Sequence, residues 1–142
     1  MVPAAWPRAI AVVHDDEPFL SLCHDLLTRA GYWALILLRS TTAYARIRLR
    51  QPALVLLDIR PEHPEPGWRV LQLLWLDPAT THIPVIVTAI DRRLLGAKVA
   101  VLQSKGGAVL QKPFTEDELL AAIRAAIGPP PVDSASVTRP SG

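Results

Sequence analysis

Five short apolar runs, each followed by a helix-length segment, constrain the fold of this chain more than any other feature. The runs cover residues 10–13, 33–38, 53–57, 85–87 and 108–110 and are rich in valine, isoleucine and leucine. Strands buried on both faces of a parallel sheet have this nearly continuous apolar character, whereas half-exposed strands alternate apolar with polar residues. The runs therefore predict five parallel strands.

The intervening segments predict helices over residues 17–30, 41–50, 68–76, 92–104 and 116–127. The last of them has the clearest boundaries, because Thr115 and Glu118 are spaced as a capping box and Gly128-Pro129 ends the helix. In segment 41–50 the run Ala-Arg-Ile-Arg-Leu-Arg also alternates like a strand. We interpret it as a helix, since consecutive parallel strands need a crossover connection.

Five strand–helix repeats predict an α/β fold, namely a doubly wound five-stranded parallel sheet flanked by five helices. The 142 residues suit one domain. We expect it to span residues 8–128, with a flexible N-terminus over 1–7 and a disordered Pro/Ser-rich tail over 129–142. In such folds ligands bind at the carboxyl ends of the strands.

Composition narrows the classes of protein that this chain can be. Its one cysteine, Cys23, excludes an internal disulfide and favours a cytoplasmic location. A formal net charge of +2 gives no indication of nucleic-acid binding. Since apolar runs of about 20 residues are needed to span a bilayer, no membrane association is expected either.

Polar side chains follow the predicted strands at the edge where a ligand would bind. They belong to the groups His14-Asp15-Asp16-Glu17, Asp58, Thr88-Ala89 and Gln111-Lys112. Oxygen ligands at this density suit Mg²⁺, which takes one or two carboxylates and retains several waters. An aspartate nucleophile can form an acyl phosphate, and a lysine supplies the positive charge that phosphoryl transfer needs.

Each of these residues also has a purely structural interpretation. Asp15 or Asp16 could cap the first helix, and Lys112 could be an ordinary solvated lysine. His14 could be a metal ligand or a donor to the cluster, but a polar residue at a strand end is more often simply hydrogen-bonded. Asp58 is harder to explain structurally, because a charge placed directly after buried apolar residues must have a partner.

Five motifs in order resemble the receiver domains of bacterial two-component response regulators, from about Arg8 to Gly128. They are Asp15-Asp16-Glu17-Pro18, the run from Leu54 to Ile59 around Asp58, Gly67-Trp68, the segment from Asp77 to Val87, and Lys112-Pro113-Phe114. The resemblance implies the flavodoxin-like strand order 2-1-3-4-5. It also implies a phosphodonor, either a histidine kinase, a phosphotransfer protein or a small acyl phosphate.

The resemblance also implies a role for each site residue. Asp58 is the phosphoacceptor, Thr88 hydrogen-bonds the phosphoryl group and Lys112 pairs with it. Mg²⁺ is bound by Asp16, Asp58 and the backbone carbonyl of Arg60, with Asp15 acting mostly through water. The expected function is a stand-alone phosphorelay receiver that signals through altered contacts with a downstream protein partner or in a homodimer.

Three positions depart from the family pattern. The segment after Asp58 is one residue longer and carries three prolines together with Glu62 and Glu65. Alignment without a gap places Ala89 rather than Thr88 at the hydroxyl position. Val109 replaces the family's frequent aromatic, so that switching would have to run through backbone and helix shifts.

Two other functions stay open on this sequence. A degenerate receiver would act as an interaction module without phosphorylation, which the three departures favour. A phosphohydrolase would need an acid two residues after the nucleophile, where this chain has Arg60.

Two surface features complete the expectations. The third helix is apolar on more than one face, which indicates a partner or dimer surface. The basic stretch is interpreted as a solvated face; it consists of Arg39, Arg46, Arg48 and Arg50.

Overall fold

The computed structural model describes residues 9–38 and 40–130. Its strands are β1 (Ala9–Val13), β2 (Trp33–Leu37), β3 (Leu54–Asp58), β4 (Val85–Ala89) and β5 (Ala108–Gln111). All neighbouring strands are parallel, in the order β2-β1-β3-β4-β5. The predicted doubly wound sheet is confirmed. The predicted flexible N-terminus, most of the predicted tail and Arg39 lie outside the described residues.

Five α-helices connect and flank these strands. They are α1 (Glu17–Arg29), α2 (Ser40–Arg50), α3 (Glu65–Leu76), α4 (Lys98–Ser104) and α5 (Glu116–Ile127). The helical interpretation of segment 41–50 is therefore confirmed. The capping box of α5 is also confirmed, since Thr115 Oγ1 accepts from the Glu118 N–H at 3.1 Å and the Glu118 carboxylate accepts from the Thr115 N–H at 3.0 Å.

Two helix boundaries were predicted wrongly. Helix α3 begins at Glu65 rather than at residue 68, because prolines are accommodated in the first turn of a helix, where no intrahelical N–H bond is needed. The predicted helix over 92–104 is divided into a 3₁₀ turn (Arg92–Leu95) and α4. The division falls at Gly96, whose φ of 52° lies in the left-handed region that an α-helix cannot contain.

The sheet separates two apolar layers, as expected for strands buried on both faces. One layer packs beneath α2, α3 and α4; its sheet residues include Ala11, Val13, Val55, Leu57, Val85 and Val87. The other packs beneath α1 and α5; its sheet residues are Ile10, Val12, Leu54, Leu56 and Ile86. With both faces covered, the carboxyl ends of the strands remain as the open edge of the sheet.

Candidate functional site

Asp58 is the last residue of β3 and lies among buried neighbours. Its side chain is only 4% exposed. A carboxylate in such a position is costly unless hydrogen bonds and an opposite charge compensate the lost solvation. The surroundings of its two oxygen atoms therefore determine what this site can do.

Thr88 and Lys112 both contact one oxygen of Asp58. Thr88 pairs with Asp58 in the register of β3 and β4, which places the two side chains on the same face of the sheet. The Thr88 hydroxyl donates to Asp58 Oδ1 at 2.8 Å, and the Lys112 ammonium forms an ion pair with the same oxygen. The hydroxyl beside Asp58 is thus that of Thr88, whereas Ala89 is the buried final residue of β4.

His14 contacts the other oxygen of Asp58. Its Nε2 lies 3.3 Å from Asp58 Oδ2, and the imidazole is buried against the Phe19 ring at a centroid distance of 4.4 Å. Burial lowers the pKa of His14 below its ordinary value, and the nearby Asp58 carboxylate opposes this effect. The His14 Nδ1 accepts a hydrogen bond of 3.0 Å from the backbone N–H of Asp16.

Asp15 and Asp16 lie on the wall of the same cleft, but both are exposed. Asp16 is the residue before α1, yet its side chain makes no capping hydrogen bond. The residue beside Asp58 is therefore His14, because Val13 pairs with Leu57 and the next positions of the two strands face each other. Asp15, Asp16 and Asp58 thus line one cleft, but among the described residues their side chains do not form a group close enough to hold a metal ion.

Asp15, Asp58 and Arg60 line one small pocket, but His14 lines it too and faces the same Asp58 carboxylate that would bind Mg²⁺. Within residues 9–38 and 40–130, no three His, Cys, Asp or Glu side chains are grouped closely enough to hold a metal ion. Both oxygens of Asp58 already face protein groups. Neither nitrogen of His14 is directed at a metal position, since Nδ1 accepts from the Asp16 N–H and Nε2 faces Asp58. The ligand roles of Asp15, Asp16 and the Arg60 carbonyl stay predictions.

A family model described as the response regulator receiver domain matches residues 10–124. The chain belongs to this family. Receiver domains are signalling domains, in general not enzymes, and they interact with kinases or phosphotransfer proteins. The family typically binds Mg²⁺ in its active site.

Two relatives and one solved structure show the range of similarity. The receiver is 30% identical to the polar-differentiation response regulator DivK of Brucella anthropi, over 86% of this chain and 98% of DivK. It is 34% identical to the response regulator PleD of Caulobacter vibrioides over 81% of this chain, but it spans only 25% of PleD. The solved structure is the receiver domain of sensor histidine kinase PA1611 from Pseudomonas aeruginosa, which has a magnesium ion coordinated in its active-site cleft. It superposes on this chain with a TM-score of 0.68 at 19% identity, and the match covers 87% of this chain and 99% of that domain.

The segment after Asp58 in this receiver is mostly exposed, from Arg60 to His63. Because α3 begins at Glu65, the connection between Asp58 and α3 comprises residues 59–64. Arg60 is exposed and pairs with Glu62 at 3.3 Å, so that a guanidinium lies where a hydrolase would place an acid. A Cβ on Gly67 would lie 3.1 Å from the Asp58 carbonyl oxygen, which explains the glycine at this position.

A cleft of about 830 Å³ opens beside Asp58 between α1 and the segment that enters α5. Lys112 and the carboxylates form its charged end, and its apolar wall includes Phe19, Leu22, Ile90 and Phe114. Cys23 also lines the cleft, but burial raises the pKa of its thiol to about 11, and this thiol is therefore unreactive.

Other predicted features of the receiver lie away from Asp58, on α3 and β5. The apolar excess of α3 is mostly core, since Val70, Leu71 and Leu74 are buried and only Leu73 and Leu76 are markedly exposed. Val109 packs at the edge of the layer beneath α3 and α4. No helix in the described part of the chain is long and apolar enough to cross a bilayer.

The sequence allows His14 to be a donor to the carboxylate cluster but does not single out Asp58 as its partner, which the structure shows at 3.3 Å. The sequence does contain a signal for this contact. When neighbouring parallel strands are in register, the residues that directly follow their last paired positions lie next to each other at the same edge of the sheet. Applying that rule to β1 and β3 places position 14 opposite position 58.

Proposed function

We propose that this receiver accepts a phosphoryl group on Asp58 and acts within a phosphorelay. The observation that carries the proposal is the pair of contacts on Asp58 Oδ1, from the Thr88 hydroxyl and the Lys112 ammonium. One supplies a hydrogen-bond donor and the other a positive charge, which are the groups that stabilise charge developing on phosphoryl oxygens. Membership of the receiver family supports the same function.

In the proposed reaction a carboxylate oxygen of Asp58 attacks the phosphorus atom of the donor. A bond from that oxygen to phosphorus forms, and the bond from phosphorus to the donor's nitrogen or oxygen breaks with its electron pair leaving on the donor. The product is an acyl phosphate. Lys112 offsets part of the negative charge of this group, and the buried Thr88 hydroxyl orients it.

The proposed donor is a histidine kinase or a phosphotransfer protein, and the output is an altered contact with a downstream protein partner or a second copy of the chain. We propose no direct contact with nucleic acid or a membrane, and a cytoplasmic location. A stand-alone role is part of the proposal; it is supported by DivK, of which the chain matches 98%.

Intact-mass measurement after incubation with acetyl phosphate and MgCl₂ tests the proposal. We expect one phosphoryl adduct on the wild-type chain and none on Asp58→Asn, which preserves the shape of the side chain but removes the nucleophile. An adduct that persists in Asp58→Asn would overturn the assignment of the acceptor. Steady release of phosphate from phosphate esters would indicate a hydrolase instead.

A second function is favoured by His14. Because the imidazole already contacts Asp58 Oδ2, both oxygens of the carboxylate have a partner from the protein itself. Such a site suits a receiver that serves as an interaction module without phosphorylation. The absence of any adduct with acetyl phosphate and with a phosphorylated kinase would support this second function over the first.

A further inference from the structure

The hydrogen bonds of His14 determine which of its nitrogens carries a proton. The Asp16 backbone N–H donates to Nδ1, so Nδ1 must be the unprotonated nitrogen. In a neutral imidazole the proton is then on Nε2, and Nε2 faces Asp58 Oδ2 at 3.3 Å. His14 is therefore a fixed N–H donor directed at the oxygen of Asp58 that Thr88 and Lys112 leave free.

The surroundings hold the imidazole in this orientation. It is buried, stacked against Phe19 and tied to the start of α1 through Asp16. The charged groups nearest to it are Asp58, Lys112, Asp16 and Arg60. Rotating the ring away from Asp58 would break its hydrogen bond to Asp16 and its contact with Phe19 together.

A cation that is bound to Asp58 Oδ2 would have to share this oxygen with the N–H of His14. Mg²⁺ binds carboxylate oxygens at about 2.0–2.1 Å and requires near-octahedral geometry. The positive end of the Nε2–H dipole points at the same oxygen. The two therefore oppose each other, because a cation and the positive end of a dipole repel when both approach one oxygen.

We propose that His14 competes with divalent cations for Asp58 Oδ2 and so makes this receiver bind Mg²⁺ weakly. His14 thereby determines specificity at this site. It favours hydrogen bonds from the protein over a divalent cation as the partners of the Asp58 carboxylate. The inference concerns metal binding and does not depend on whether Asp58 is phosphorylated.

Calorimetric titration with MgCl₂ in the absence of any phosphodonor tests the competition. His14→Val removes the N–H without adding a ligand, and we expect it to bind Mg²⁺ about tenfold or more tightly than the wild type, the equivalent of one hydrogen bond to a charged group. His14→Asp adds a carboxylate and should bind more tightly still. His24→Val, on the exposed face of α1, is the matched control and should leave the affinity unchanged.

An unchanged or weaker affinity in His14→Val would overturn the proposal, since a histidine that ligates the metal would give the weaker value. A measurement on the wild-type chain covers the case in which the variants do not fold. The ¹⁵N shifts of His14 should show a protonated Nε2 without metal and should change when Mg²⁺ is added to saturation. Shifts that stay constant while Mg²⁺ binds would equally contradict the competition.

Discussion

The two oxygens of Asp58 receive donors of different kinds. Oδ1 faces a hydroxyl and an ammonium, whereas Oδ2 faces an imidazole. The sequence identified Asp58, Thr88 and Lys112, because each follows or ends a strand at the same rim. It did not identify the pairing with His14, since this depends on how far β1 extends, and strand ends are fixed by tertiary contacts rather than by composition.

Thr88→Val tests the donor on Oδ1 at nearly constant side-chain volume. The buried hydroxyl is lost and a methyl group faces the carboxylate. We expect the initial rate of phosphorylation by acetyl phosphate to fall by about tenfold or more, the equivalent of one hydrogen bond to a charged group. The rate is measured by intact mass against time.

Thr88→Ser is the control for this substitution, because it retains the hydroxyl. It should keep most of the wild-type rate. Equal rates in the valine and serine variants would show that the hydroxyl is dispensable for transfer. Urea denaturation of both variants separates a loss of rate from a loss of folded protein.

At the scale of secondary-structure elements, the sequence patterns predicted whether a segment is a strand or a helix better than they predicted where it begins and ends. Runs of buried valine, isoleucine and leucine located every strand to within two residues at either end, because burial on both faces leaves little else to fit. Prolines concealed the start of α3, and Gly96 divided the fourth helical segment. Both errors arise from residues whose backbone effect depends on their exact position in a turn.

The capping box at the start of α5 contributes to the stability of the fold, and this contribution can be measured by a single substitution. Replacing Thr115 with alanine removes the acceptor for the Glu118 N–H. We expect Thr115→Ala to lower the free energy of unfolding by about 1 kcal/mol. Urea denaturation followed by circular dichroism measures this change.

Thr115→Ser provides the matched comparison, because serine caps helices as well as threonine does. It should unfold within about 0.5 kcal/mol of the wild type. If alanine and serine gave the same stability, the cap would make no measurable contribution, and the packing of α5 on the sheet would account for the boundary.

At the scale of the whole molecule, Asp77 links parts of the chain that are distant in sequence. Its carboxylate accepts from the Tyr44 hydroxyl and from Arg48 Nε at 2.9 Å, both on α2, and from the Ala79 N–H at 2.9 Å. The hydrogen bond from Tyr44 is the largest cause that lowers the pKa of Asp77 below its ordinary value. Asp77 thereby joins α2 to the connection between α3 and β4.

The lowered pKa gives a dependence of global stability on pH. Because the unfolded chain takes up the proton first as the pH falls, Asp77 stabilises the fold above about pH 4 and this contribution is lost at lower pH. We expect Asp77→Asn to be less stable than the wild type at pH 7 and to lose less stability on acidification. Urea midpoints at pH 7, 4 and 3 measure both effects.

Asp25→Asn serves as the comparison, since Asp25 is an exposed carboxylate on α1. Its stability should follow the wild-type curve across the same pH range. A fall in stability as steep in Asp77→Asn as in the wild type would assign the acid sensitivity to other carboxylates.

The contacts of Asp58 have a consequence that follows from counting donors and acceptors. The unmodified site directs three donors, the Thr88 O–H, a Lys112 N–H and the His14 Nε2–H, at two carboxylate oxygens. An acyl phosphate on Asp58 would bring three additional acceptor oxygens and no donor. The two carboxylate oxygens offer about four acceptor positions, which three donors nearly match. The acyl phosphate would leave the site short of donors, and the shortage would have to be met from outside the site, by solvent or by a partner protein.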